Sequence, residues 1–152
     1  MKNFKNLQAA PIQIRVSSRT CPVTKRALAA FTSKILGEIR KTDYGVSVHV
    51  VDSGRMKSMH WDFFHDRSDT DCISFSQFEG KQVGAEKTLG DVFISWGQIR
   101  RQAPQYGNTP VEELLYCVIH GILHLIGHDD LKVAARKKMF KIQNRIFKKL
   151  VR

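Results

Sequence analysis

The stretch from Thr109 to Gly127 constrains this chain more than any other. Thr109-Pro110-Val111-Glu112 is a capping box, with Thr109 at N-cap, Pro110 at N1 and Glu112 at N3. The helix it opens is apolar on nearly every side: Val111, Leu114, Leu115, Val118, Ile119, Ile122, Leu123, Leu125 and Ile126. It runs to about Ile126 and stops at Gly127, a natural C′ residue. A helix apolar all round is buried, so the rest of the chain must be wrapped about it.

Two histidines interrupt that apolar surface. His120 and His124 stand at i and i+4, which stacks both imidazoles on one face. An unpaired buried polar group costs about 1–3 kcal/mol, so each ring must hydrogen-bond or bind a metal. Gly121 beside them permits a close approach, and Gly127 turns His128, Asp129 and Asp130 back over the same face. Zinc takes about four N, O or S ligands, with one place left to water at a catalytic site. His120, His124 and one residue after Gly127 would supply three. The glutamate that follows the first histidine of a zinc peptidase is Gly121 here, which argues against that chemistry.

The other elements follow from periodicity. Ile12, Ile14 and Val16 alternate with polar residues as a first strand. After Pro22, the residues Leu28, Phe31, Ile35 and Ile39 recur at helical spacing, with Gly37 weakening the last turn. Asp43-Tyr44-Gly45 is a turn, Val46, Val48 and Val50 mark a second strand, and Gly54 is expected to break it. Met56, Met59 and Phe63 mark a short helix. A polar loop from Asp66 to Asp71 leads to a third strand, Cys72–Phe75. A hairpin-like connection is expected over Gln77–Thr88, then a fourth strand, Asp91–Ile94. A helix from about Ser95 should end before Pro104. The last helix, about Leu131–Leu150, places Ala135, Met139, Ile142, Ile146 and Leu150 on one face.

This order, four strands interspersed with helices, predicts an α/β (α+β) fold in a single domain over residues 1–152. Met56, Met59, Trp61, Phe63, Trp96, Phe140 and Phe147 read as core, and His49 and His60 as structural residues without evident partners. Three scattered cysteines form no CxxC pair, so no disulfide partner is expected and a reducing cytoplasm is the natural location. No apolar run reaches membrane length, and no leader is legible in Met1–Gln8.

Of the net charge of +11, nine basic residues and no acid fall within residues 131–152. A basic face of that density attracts polyanions. It suits nucleic acid or the ribosome, though a membrane surface or a merely solvated face has the same composition.

The segment His120-Gly121-Ile122-Leu123-His124-Leu125-Ile126-Gly127-His128-Asp129-Asp130 resembles the H-G-x-L-H-L-x-G-[YF]-D-H signature of the YbeY family, metal-dependent endoribonucleases that mature ribosomal RNA. Thr70-Asp71-Cys72-Ile73-Ser74-Phe75 resembles the family's T-D-V-L-S-F, and Leu89-Gly90-Asp91-Val92-Phe93-Ile94 its L-G-D-I-x-I. The similarity spans roughly Val46 to Asp130. It implies a compact α/β (α+β) fold with a small mixed four-stranded sheet packed by helices and a central buried helix carrying the metal-binding histidines. It also implies a zinc-dependent, single-strand-specific endoribonuclease acting on the 3′ end of small-subunit ribosomal RNA and in ribosome quality control. Ribosome or small-subunit proteins are the implied partners. A ribosome-assembly factor with a mainly structural metal is the alternative.

Two departures from the signature bear on the site. The family's third metal histidine is Asp130 here, while His128 takes the usual aromatic position. Carboxylate oxygen is an acceptable zinc ligand, so the expected set is His120, His124 and Asp130, with His128 as the alternative third ligand. The family's arginine before the T-D block aligns in a segment one residue shorter, Phe64-His65-Asp66-Arg67-Ser68-Asp69. His65 and Arg67 are therefore the candidates for stabilising phosphate charge. Lys132, Arg136, Lys137, Lys141 and Arg145 on the basic helix are the candidate RNA contacts.

Overall fold

Alternating β-branched residues and helical repeats resolve into ten short elements in a computed structural model, which describes residues 11–77 and 87–152. In chain order these are β1 (Ile12–Val16), α1 (Lys25–Glu38), β2 (Gly45–Val51), α2 (Ser53–Phe64), β3 (Cys72–Ser76), β4 (Thr88–Ser95), α3 (Trp96–Gln102), a 3-10 turn (Ala103–Tyr106), α4 (Pro110–Leu125) and α5 (Val133–Leu150). The strands form one mixed sheet of order β1-β2-β4-β3. β1 and β4 run parallel to β2, and β3 runs antiparallel to β4. The fold is the single α+β domain expected. The connection anticipated over Gln77–Thr88 lies for the most part outside the described residues, as does Met1–Gln8.

Register decides what each sheet face meets. Val48 pairs with Val92 and Val50 with Ile94, and all four are fully buried on the face that carries α4. Leu114, Ile119, Ile122, Leu123 and Leu125 of α4 meet them, each with no exposed surface. Burying one such side chain contributes about 1.5–3 kcal/mol. α1 and α5 complete this core with Leu28, Ile35, Met139 and Ile146. The opposite face carries a smaller cluster of Val51, Met56, Met59 and Ile73 beneath α2.

Four details depart from the sequence reading. Gly54 does not end β2; Asp52 takes the extended N-cap conformation of α2, and Gly54 lies in that helix's first turn. Trp61 and Phe63 are not core, being 43% and 60% exposed. The small cluster under α2 needs only one stripe of that helix, and Met56 and Met59 supply it. His49 and His60 do have partners: His49 Nε2 lies 3.2 Å from Asp91 Oδ1 with its ring stacked on Phe93, and His60 Nδ1 donates to the Ser68 carbonyl at 2.8 Å. The buried helix α4 is not wholly apolar either, since it hides Glu113 at 2% exposure.

Candidate metal centre

Three constraints fix where α4 holds its histidines. The capping box forms as read: Thr109 Oγ1 accepts from Glu112 N at 3.2 Å, and Glu112 Oε1 accepts from Thr109 N at 3.1 Å. At the other end Ile126 is the C-cap, and Gly127 takes φ of 98°, a conformation that favours glycine. Midway, Gly121 sits against the sheet. A Cβ there would fall 2.4 Å from Val92 Cγ1 and 3.0 Å from Cys72 Sγ. The close approach it permits is therefore that of helix to sheet. Ser74 and Ser76 of β3 seal the contact by donating to the Gly121 and Leu125 carbonyls, at 3.1 and 2.7 Å.

The two imidazoles then converge. His120 Nε2 and His124 Nε2 stand 3.0 Å apart, with the rings nearly perpendicular. The turn after Gly127 brings Asp130 Oδ2 to 3.4 Å from the first and 3.5 Å from the second. All three ligating atoms lie within 4.8 Å of one another. The outer nitrogens are held as well. His124 Nδ1 donates to the His128 carbonyl at 2.9 Å. His120 Nδ1 donates to Gln143 Oε1 at 2.9 Å, while Gln143 Nε2 donates to the Tyr116 carbonyl and so fixes which end of the amide faces the ring.

Those bonds place both ring protons on Nδ1, leaving two Nε2 lone pairs and a carboxylate oxygen facing one point. Three acceptors at such distances repel one another unless a cation lies among them, so the residues present fit a metal ion. Asp130 occupies the third place. His128 contributes its backbone carbonyl to this arrangement, and its imidazole is outside the triad. Desolvation, assisted by nearby Lys138, holds that imidazole's pKa below the usual value.

A cleft of about 530 Å³ opens over the triad. Its walls include Thr70 and Asp71 of the loop before β3, Cys72 and Ser74 of β3, and His60 and Phe64 of α2. The loop is pinned to α3, where Asp69 accepts from Ser95 Oγ and pairs with Arg101. Asp71 Oδ2 in turn accepts from Gln102 Nε2 at 3.0 Å. Burial and the carboxylates of Asp71 and Asp130 push the Cys72 thiol up to about 12, and burial also raises Cys117. Both thiols stay protonated at neutral pH and are poor nucleophiles.

His65 and Arg67 are not among the residues lining this cleft. His65 ends α2 in a left-handed conformation with its ring edge-on to Trp61, and the Arg67 guanidinium lies 4.8 Å over the Trp61 ring. The histidine that α2 does turn into the cleft is His60, one helical turn earlier. The basic residues lie on the outer face of α5; Lys132, Arg136, Lys137, Lys141 and Arg145 are all exposed.

The family model described as "Endoribonuclease YbeY" matches residues 13–151, nearly the whole fold. The chain belongs to the YbeY endoribonuclease family. It is 36% identical over 152 residues to the endoribonuclease YbeY of Sulfurihydrogenibium sp. (strain YO3AOP1), covering 99% of this chain and 97% of that one. It is 33% identical over 125 residues to that of Thermus thermophilus, covering 82% and 87%. Among solved structures it is similar to TM1509 from Thermotoga maritima, a solution structure, with a TM-score of 0.64 and 25% identity over 91% of this chain and 88% of that one. The YbeY name thus joins a nuclease family to a fold that carries a half-buried, three-ligand site beneath an open cleft.

Proposed function

We propose that this chain is a zinc-dependent endoribonuclease that cuts single-stranded ribosomal RNA, with the ion held by His120, His124 and Asp130. The observation that carries this reading is the convergence of three acceptor atoms at the floor of an open cleft of about 530 Å³. Three protein ligands beside open space are the pattern of a catalytic metal site, whereas structural zinc sites are closed by four. That contrast favours the enzyme over an assembly factor with a structural metal.

When bound, the ion supplies Lewis acidity, drawing charge from a phosphate oxygen and making nearby water more acidic. The protein's own groups do the rest. Gln143 and the His128 carbonyl keep both imidazoles aimed at one point. Asp71, held by Gln102, offers a carboxylate to a proton or a donor in the cleft. His60, from the facing wall, stands where its imidazole can reach a phosphate oxygen. His65 and Arg67 act on backbone entering past Trp61. The exposed basic residues of α5 hold flanking phosphates, a contact that positions the strand without reading it. Unpaired RNA is the substrate because unstacked bases and a flexible backbone enter such a cleft, as a duplex does not.

The family resemblance supports a role at the 3′ end of small-subunit RNA and in ribosome quality control, in the cytoplasm, among ribosomal or small-subunit proteins. No described helix is long and apolar enough to cross a membrane. The test is cleavage of a labelled single-stranded RNA by wild type, His120→Ala and chelated protein. Loss of cleavage in the last two, with zinc restoring the chelated sample, is expected. Equal cleavage by His120→Ala would refute the assignment, and a folded, metal-loaded wild type without cleavage would favour the assembly role.

A further inference from the structure

Asp71, His120 and Asp130 form a shared wall, and beyond it lies a second cavity of about 290 Å³. Tyr106, 67% exposed, stands at its rim, and Phe140 lines it as well. Its deep polar groups are Gln102 and Glu113, only 8% and 2% exposed.

The hydrogen-bond inventory of this cavity is one-sided. Gln102 Nε2 gives its hydrogens to Asp71 Oδ2 at 3.0 Å and Glu113 Oε1 at 2.9 Å. The amide of Gln143 donates to the Tyr116 carbonyl, and the Tyr116 hydroxyl donates to Asn144 Oδ1 at 2.8 Å. The protonated Cys117 thiol points to the same two carboxylates. Apart from the Tyr106 hydroxyl at the rim and the second hydrogen of the Gln143 amide, what remains to face a ligand is acceptor. A carboxylate has about four lone-pair sites, and Asp71 Oδ1 takes no side-chain donor among the described residues. A ligand here must therefore bring donors on a flat, apolar body.

We propose that this cavity is a nucleobase subsite and that it takes guanine. The inference rests on reading the neighbouring cleft as an RNA-cutting centre, since the shared wall lets a nucleotide whose phosphate lies at the triad place its base here. The base stacks on Tyr106 and Phe140, as unpaired bases do on aromatic rings. Guanine presents N1–H and its exocyclic amino group side by side, two donors that converge on the open Asp71 Oδ1 while Oδ2 stays with Gln102 and the Cys117 thiol. Uracil presents a single N–H flanked by two carbonyls, which would bring acceptor against acceptor. The volume lies at the low end of ligand pockets and suits one base.

The metal-loaded, full-length protein can be titrated with GMP and with UMP, followed by NMR. The two share a phosphate and contain no internucleotide bond, so their difference reports the base alone. GMP is expected to bind about tenfold more tightly or better. Tyr106→Ala, at an exposed position that folding tolerates, should remove most of that preference, and Asp71→Asn should remove it independently. Equal affinities in wild type, or a preference that survives Tyr106→Ala, would overturn the subsite. Mapping fragment ends from a mixed-sequence RNA separates the two readings. Cleavage without a guanine bias sinks the subsite and leaves the nuclease standing, whereas a GMP preference in a protein that cuts nothing does the reverse.

Discussion

Gly121 shows how a single residue decides whether the centre exists. It lies between the two histidines, and the space a methyl group would need is filled by Val92 and Cys72. Gly121→Ala must lift α4 from β3 and β4 or strain the contact. Overpacking of this kind costs about 1–3 kcal/mol, and urea unfolding should show a lowered midpoint with an unchanged slope. The motif made this glycine visible, but its reason lay in the sheet register, which no local reading contains. Asp130 was readable through the family resemblance: it stands where the family's third metal ligand falls, and the turn that brings it back is local, although the sequence left His128 as the alternative. His60 was not readable, because its anchor is the Ser68 carbonyl and its place in the cleft depends on how α2 packs on the far face. The role of Glu113 was hidden too. Its partners Gln102 and Asn108 come from outside α4, and no spacing announces them.

At the scale of elements, α4 carries the two histidines but α5 aims one of them. Gln143 is 1% exposed and is the partner of His120 Nδ1. Outer partners of metal-binding histidines are typically worth 10–100-fold in affinity. Gln143→Leu should thus weaken zinc binding by about that factor, measured by chelator competition, while helix content by circular dichroism stays native. The start of α4 can be tested separately. Thr109→Ala removes the N-cap and should cost about 1 kcal/mol. The bonds from Thr109 and the pairing with Arg152 hold the Glu112 carboxyl below its ordinary value of 4.5. Its stabilising effect is therefore present above that value and is lost as pH falls through the lower native one. A wild-type advantage over Glu112→Gln at neutral pH should shrink on acidification, and an advantage that grew in acid would be inconsistent. The capping box was legible because both halves lie within four residues. The reach of α5 to His120 spans the turn after Gly127 and was not.

Over the whole molecule, charge is segregated. Lys149 pairs with Glu38 and Arg152 with Glu112, but Lys132, Arg136, Lys137, Lys141 and Arg145 have no acidic partner among the described residues. If all five meet phosphate, the affinity for single-stranded RNA should fall with salt at a log–log slope of about −3.5. Lys137→Ala should flatten that slope by about 0.7, without changing zinc content. A salt-independent affinity would remove α5 from the interface. The four strands and the buried helix were legible as patterning, whereas the mixed sheet packed on that helix was legible only through the family resemblance. The second cavity was not, because it arises only where α3, α4 and α5 meet.

The most direct test of the account is equilibrium zinc binding to the intact chain, compared with His124→Ala and Asp130→Ala. The account predicts one ion per chain in the wild type, none retained by His124→Ala, and a greatly weakened site in Asp130→Ala. Zinc bound at full stoichiometry and unchanged affinity by both variants would contradict it.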